Sequence, residues 1–261
     1  TFETIGVLRR FKNNFDNGKK IIQEENFTLP NKLLTLIDNT SPNLVINCVG
    51  IVKQNSKIKE VENSFYLNSV FPNLLNQICN NKEIRFLTFS TDCIFSGDKG
   101  LYKEYDLADS IDTYGRSKYL GELKDHNKSI TLRTSFIGKE LNTKRGLLEW
   151  IILQSKLKKN IYGFKRAIYS GLPTIEIAKV IHKYIIPNEK LRGLYHLSSE
   201  PIDKYTLLNL IKKIYKLDIN INEDCDMVID RSLNSSKFRT ETGFKPLNWE
   251  ELVKSMYKDS L

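Results

Sequence analysis

Cysteine is sparse in this sequence, and none of the four forms a Cys-x-x-Cys pair. Cys48, Cys79, Cys93 and Cys225 are scattered, which excludes a zinc ribbon or a disulfide framework. They read as buried free thiols in a reducing cytoplasm. No run of 18 apolar residues occurs, and the opening residues do not form a basic, apolar, small-residue leader, so a soluble chain with no membrane partner is expected. Internal repeats and low-complexity linkers are also missing. Charge is plentiful: 40 Lys and Arg against 31 Asp and Glu give a net +9. These residues are spread along the chain, often beside acids as in Lys57-Ile58-Lys59-Glu60, with no aromatic-interleaved basic stripe. That speaks against nucleic acid as a partner and for a Lys-rich surface that suits anionic small substrates.

What is present alternates. Ile5-Gly6-Val7-Leu8 and Lys20-Ile21-Ile22-Gln23 are short apolar runs, and Leu33, Leu34, Leu36 and Ile37 give helical spacing after Pro30. Leu44 to Gly50 reads as a strand buried on both faces, followed by a helix with Phe65, Leu67, Phe71, Leu74, Leu75 and Ile78 on its inner side. Ile84 to Phe89 is the next strand, then a helix around Tyr114, then a strand at Ile130 to Arg133. This order predicts an α/β protein with a doubly wound parallel sheet over residues 1–140. Residues 141–261 alternate less regularly and read as a smaller, mixed substrate domain interleaved with the sheet edge. Within them, Gly171-Leu172-Pro173-Thr174 reads as a turn.

Ligands of such sheets bind beyond the carboxyl ends of the strands. Asn47 to Gly50, Thr91 and Asp92, and Thr134 and Ser135 all fall there. Tyr114 and Lys118 lie 23 and 27 residues after Thr91; on a helix they are i and i+4 and share a face. An ammonium beside a phenol favours its ionised form, so a lowered Tyr114 pKa is expected. Such a tyrosine exchanges a proton with a carbonyl oxygen as hydride reaches the carbon. Thr91 adds a hydroxyl for the same oxygen.

Five phrases carry a resemblance: Asn47-Cys48-Val49-Gly50, Ser90-Thr91-Asp92-Cys93-Ile94-Phe95-Ser96-Gly97, Tyr114-Gly115-Arg116-Ser117-Lys118-Tyr119-Leu120-Gly121-Glu122, Leu132-Arg133-Thr134 and Gly171-Leu172-Pro173-Thr174. In this order they resemble the extended short-chain dehydrogenase/reductase superfamily, and within it the dTDP-4-dehydrorhamnose reductases and their sugar-nucleotide relatives. The resemblance implies a Rossmann-like fold, NADPH as cofactor, a nucleotide-sugar substrate, and a homodimer as an open option. It implies Tyr114 as acid/base, Lys118 on the nicotinamide ribose, and Thr91 on the sugar carbonyl with Asp92 beside it. Asn47, Cys48, Val49 and Gly50 would pass under the cofactor, Asn68 would support Lys118, and Arg231 would grip the substrate diphosphate.

Sugar 4,6-dehydratases resemble the chain too, but carry a glutamate where Cys93 stands, so reduction is favoured over dehydration. Arg9 and Arg10 sit where an acid would select NAD; arginine there accommodates the 2′-phosphate of NADP. Relatives usually have Asp-Gln before the glycine of the Gly-x-Pro-Thr turn, whereas this chain has Ile168-Tyr169-Ser170, which leaves sugar and nucleotide open. No Gly-x-x-Gly-x-x-Gly phosphate loop occurs, and the expectation is a fragment lacking roughly 25–30 N-terminal residues of a βα unit. Two alternatives remain beside the reductase. One is a sugar-nucleotide epimerase that retains NAD; the other is a non-catalytic NADP-binding subunit resembling the regulatory subunit of methionine adenosyltransferase.

Overall fold

A computed structural model describes residues 3–9, 20–52, 61–123, 127–140 and 145–260. The short apolar runs become parallel strands wherever a helix covers them. β1 (Ile5–Leu8) pairs with β2 (Lys20–Gln23), Ile5 opposite Lys20. α1 (Pro30–Thr40) opens on a proline, whose missing amide costs nothing in the first turn, and closes on Ser41 at φ 42°. β3 (Leu44–Asn47) follows. Next come α2 (Val61–Phe65), a π-helical turn over Tyr66–Val70 and α3 (Phe71–Asn81). β4 (Arg85–Thr91) leads through a 3₁₀ turn at Asp92–Ile94 to α4 (Thr113–Leu120), and then to β5 (Ser129–Thr134).

The rest of the chain mixes short strands with helices. These are β6 (Phe136–Ile137), α5 (Leu147–Lys156), β7 (Ile161–Phe164), β8 (Ala167–Tyr169), β9 (Leu172–Pro173) and α6 (Thr174–Val180). β10 (Gly193–His196), β11 (Ile202–Asp203), α7 (Lys204–Tyr215), β12 (Ile221–Asp224), β13 (Ile229–Asp230), α8 (Ser236–Thr242) and α9 (Trp249–Asp259) complete it. Caps fix the helix starts: Asp203 accepts from the Thr206 amide at 2.8 Å, and Asn248 with Glu251 forms a reciprocal capping box on α9.

The central sheet runs β10-β5-β4-β3, all parallel. β10, from beyond residue 140, thus joins the sheet beside β5. Alternation along β4 sends Phe86 into a cluster with Leu33, Ile37, Phe71 and Leu75, and Leu87 into a second on the other face with Ile130, Leu132, Ile177 and Phe238. A third cluster joins α5 and α7 through Leu148, Ile151, Leu207 and Ile211. The β1–β2 pair forms a separate sheet. Among the described residues β1 pairs only with β2, and β3 only with β4; both line a large cleft. No helix among the described residues is long and apolar enough to cross a membrane.

Three expectations are corrected here. β3 is not buried on both faces: Ile46 is exposed because the strand borders the cleft. Leu172 and Pro173 are a strand rather than a turn, since Phe136 and Ile137 run alongside them in parallel. Cys48 and Cys225 are exposed; of the four thiols only Cys79 is fully buried.

Candidate active site

Both ends of β3, β4 and β5 are anchored by pairing, and their carboxyl ends open together into one cleft of about 2250 Å³. Asn47 ends β3 with its side chain turned inward. Its Nδ2 donates to Thr88 Oγ1 at 3.1 Å, and its Oδ1 accepts from the Val49 amide at 3.0 Å, an Asx turn that bends Cys48 to Gly50 along the cleft wall. Thr91 ends β4, opposite Thr134 of β5. Its hydroxyl accepts from the Cys93 amide at 3.1 Å, lies 3.1 Å from Asp92 Oδ1 as donor, and lies near enough to the Tyr114 phenol to ease its ionisation.

α4 delivers Tyr114 and Lys118 to the same place. Asp112 caps it, accepting from the Gly115 amide at 2.8 Å. Gly115 lets the helix lie against the Cys93 backbone: a Cβ there would fall 2.3 Å from the Cys93 carbonyl oxygen. From the opposite wall, the π turn brings in Asn68, which is buried. Asn68 Oδ1 accepts from the Ile51 amide at 2.9 Å, and Nδ2 donates to the Ile51 carbonyl at 3.0 Å and to Ser117 Oγ at 3.1 Å. Asn68 therefore clamps the loop after β3 onto α4, and is no solvated flank residue. A π bulge at such a point is frequent in functional sites.

The expected lowering of the Tyr114 pKa is corrected. Burial raises it, the neighbouring Cys93, Asp92 and Asp112 add to the rise, and the Thr91 hydroxyl opposes them. Lys118 is not among the main causes; its ammonium donates to the Phe89 carbonyl at 2.6 Å. Burial pulls Lys118 itself down to about 8, with Glu122 opposing. Asp92 is also pushed up by burial, against hydrogen bonds from Thr91, Cys93 and Ser135 and the charge of Arg231.

Arg231 follows β13 into the cleft beside these groups. Its Nε donates to the Phe95 carbonyl at 2.8 Å, and Nη1 reaches Cys93 Sγ at 3.7 Å. Burial and Asp92 together raise the Cys93 thiol to about 11. Arg9 stands exposed just past the carboxyl end of β1, while Arg10 lies outside the described residues. Sequence reasoning passed over two participants: Ser117, inside the Tyr114 phrase, and Tyr169, whose signal was the departure from Asp-Gln.

The sequence matches the family described as RmlD substrate binding domain over residues 12–261. The chain belongs to that family. Within the RmlD group it is 25% identical over 272 residues to a dTDP-4-dehydrorhamnose reductase of Aggregatibacter actinomycetemcomitans, covering 92% of this chain and 91% of that one. It is 23% identical over 257 residues to the spore coat polysaccharide biosynthesis protein SpsK of Bacillus subtilis, covering 90% and 89%. The RmlD-type chain also superposes on a solved dTDP-4-dehydrorhamnose reductase from Bacillus anthracis in complex with NADP. There the TM-score is 0.82 at 19% identity, over 98% of this chain and 97% of that one.

Proposed function

We propose that this chain reduces the 4-keto group of a nucleotide-activated 6-deoxy sugar with NADPH, making a precursor for polysaccharide. The observation that carries the reading is the convergence of Thr91, Tyr114 and Lys118 on one cleft at the strand carboxyl ends. The likeness to a named dTDP-4-dehydrorhamnose reductase along most of both chains supports it.

The cleft suits a nicotinamide nucleotide. At Gly50 a Cβ would sit 3.1 Å from Asn68 Oδ1 and 3.8 Å from Lys118 Nζ, so glycine lets the cleft-lining loop after β3 lie close against Asn68 beside the ammonium. Asn47 to Gly50 and Lys118 would hold the cofactor, with Arg9 and Arg10 on its 2′-phosphate. The chemistry supplied there, with the cofactor bound, would be hydride transfer to C4.

The protein's residues manage the oxygen. Thr91 holds the carbonyl oxygen and keeps the Tyr114 hydroxyl aimed at it. Tyr114, protonated at neutral pH because burial holds its proton on, donates to that oxygen as negative charge develops. Arg231 anchors the diphosphate with its guanidinium fork. Cys93 stands where dehydration would need a base, and a thiol held at about 11 does not serve as one. The free thiols fit a reducing cytoplasm.

The direct test is NADPH oxidation at 340 nm with a dTDP-4-keto-6-deoxy sugar. Turnover with ketone consumed one-to-one supports the reading; tightly retained NAD and no net oxidation would replace it with the epimerase. Lys118 gives a second expected result. Its ammonium contributes attraction to the anionic cofactor only while protonated. NADPH affinity is therefore expected to stay flat below pH about 8, to fall above it and to level off at the weaker affinity of the neutral form. Fluorescence titrations across about pH 6.5–9.5 check this, and Lys118→Met should abolish the slope. An equal slope in the variant would remove Lys118 from cofactor binding.

A further inference from the structure

Tyr169 has a buried hydroxyl that the fold does not satisfy. The ring is fixed by β8, which pairs with β11 and β13, and by Trp249, 5.8 Å away between centroids. Its Oη meets no partner at hydrogen-bond geometry, although the Ser135 hydroxyl lies near enough to ease its ionisation slightly. Asp92 and Cys93 are close enough to act on it electrostatically. Thr134 Oγ1, one residue from Ser135, is likewise buried and unpartnered. Tyr169, Thr134, Ser135 and Asp92 all line the cleft that holds Thr91 and Tyr114.

Leaving a hydroxyl dry and unpaired is destabilising, and one on a cleft wall marks a place where a ligand completes the bonding. The local backbone is built around this arrangement. A Cβ at Gly171 would fall 2.1 Å from Tyr169 Oη and 2.4 Å from the Ser135 carbonyl oxygen, so glycine alone leaves the phenol in place.

The group that fits must accept from Tyr169 and donate to the Asp92 carboxyl. A hydroxyl does both; a methyl or a second carbonyl does not. Asp92 adjoins Thr91, 3.1 Å between their side-chain oxygens, so the hydroxyl lies next to the oxygen that Thr91 holds. On a hexose reduced at C4, the vicinal carbon that carries a hydroxyl in a 6-deoxy sugar is C3. We propose that Tyr169, with Asp92, forms a subsite for the sugar 3-hydroxyl and sets specificity for it. This rests on the reductase reading for the identity of the ring, but it is tested by binding, without turnover.

Calorimetry with the protein saturated in NADP⁺ compares a dTDP-6-deoxyhexose, its 3-deoxy analogue and dTDP alone, with the UDP series in parallel. The wild type is expected to prefer the 3-hydroxy sugar by about 10- to 100-fold on at least one nucleotide. Tyr169→Phe keeps the ring against Trp249 and should bring that preference below about threefold, leaving the affinities for dTDP and NADP⁺ unchanged. Its melting temperature should hold or rise, because the variant deletes an unsatisfied buried hydroxyl; a structural tyrosine would melt lower. The proposal is overturned if the wild type does not discriminate in either series, if no nucleotide sugar outbinds its free nucleotide, or if the Phe variant keeps the preference. Failure of the reductase reading shows separately, as a wild type that binds these sugars but oxidises no NADPH.

Discussion

Tyr114→Phe is expected to lower kcat for ketone reduction by about 10²- to 10⁴-fold, the usual worth of a positioned proton donor. KM and NADPH affinity should change little. The ring stays packed, and the removed atom serves the carbonyl oxygen only when negative charge builds on it. The residual rate would come from Thr91, which still holds that oxygen, and from the fixed approach of the reactants. Losing the phenol–Thr91 contact should cost about 1 kcal/mol of stability, too little to unfold the chain. The pH profile sharpens the test. Because burial raises Tyr114, the donor stays protonated well past neutrality, and the first alkaline loss of activity should track Lys118 near 8 instead. Stopped-flow single turnovers of wild type and variant separate the chemical step from product release. A drop under about threefold in the chemical step would remove Tyr114 from the proton-donor role.

The residues that sequence reading placed well share a physical property: their placement is local. Strand ends follow from apolar runs, so Asn47, Thr91 and Thr134 fell at one edge; helical spacing put Tyr114 and Lys118 on one face. What it missed depends on contacts between distant segments. β11 and β13 are two residues each and β8 is three, too short for any period, yet β8 carries Tyr169, which was passed over, and β13 leads to Arg231, which only the family resemblance had singled out. The Lys118 ammonium lies on a carbonyl 29 positions earlier, which no i to i+4 argument contains. The Tyr114 expectation failed for the same reason. Spacing gave the neighbour on the helix but not the burial, which outweighs it. The family resemblance singled out Asn68 as a support for Lys118, but its bonds to Ile51 and Ser117, 17 and 49 positions away, were not legible.

Glu122→Ala should be the most destabilising change outside the apolar cores, by about 3–5 kcal/mol, since it strands a buried charge. Glu122 Oε1 and Oε2 accept from Arg133 Nε at 2.8 Å and Nη2 at 2.7 Å, a bidentate pair with side-chain exposures of only 8% and 3%. Ser90 Oγ adds a third bond to Oε1 at 2.6 Å. Arg133 Nη1 continues to the Glu104 carbonyl at 3.1 Å and to His196 Nε2 at 3.2 Å. An arginine can only donate, so His196 accepts at Nε2 and carries its proton on Nδ1, which donates to the Tyr102 carbonyl at 2.9 Å. The network therefore needs a neutral imidazole, and burial with the Arg133 charge holds His196 down at about 3. One set of bonds ties Glu122, two residues past the end of α4, to β4, β5 and β10, so its loss should loosen the helix that carries Tyr114 and Lys118. Urea titrations should show the Ala variant unfolding at much lower denaturant. Glu122→Leu combined with Arg133→Met should recover part of the loss, because removing both charges leaves none unpaired. A single-variant cost under about 1 kcal/mol would show that water reaches the pair. The sign for His196 is fixed as well. The unfolded chain takes up a proton below its ordinary value of about 6.5, while the folded chain refuses it down to about 3. The contribution of His196 to stability is thus complete above the unfolded value and falls away as pH drops from there. Replacing His196 with Gln, which can still accept from Arg133, should flatten that acid limb while preserving the network at neutral pH.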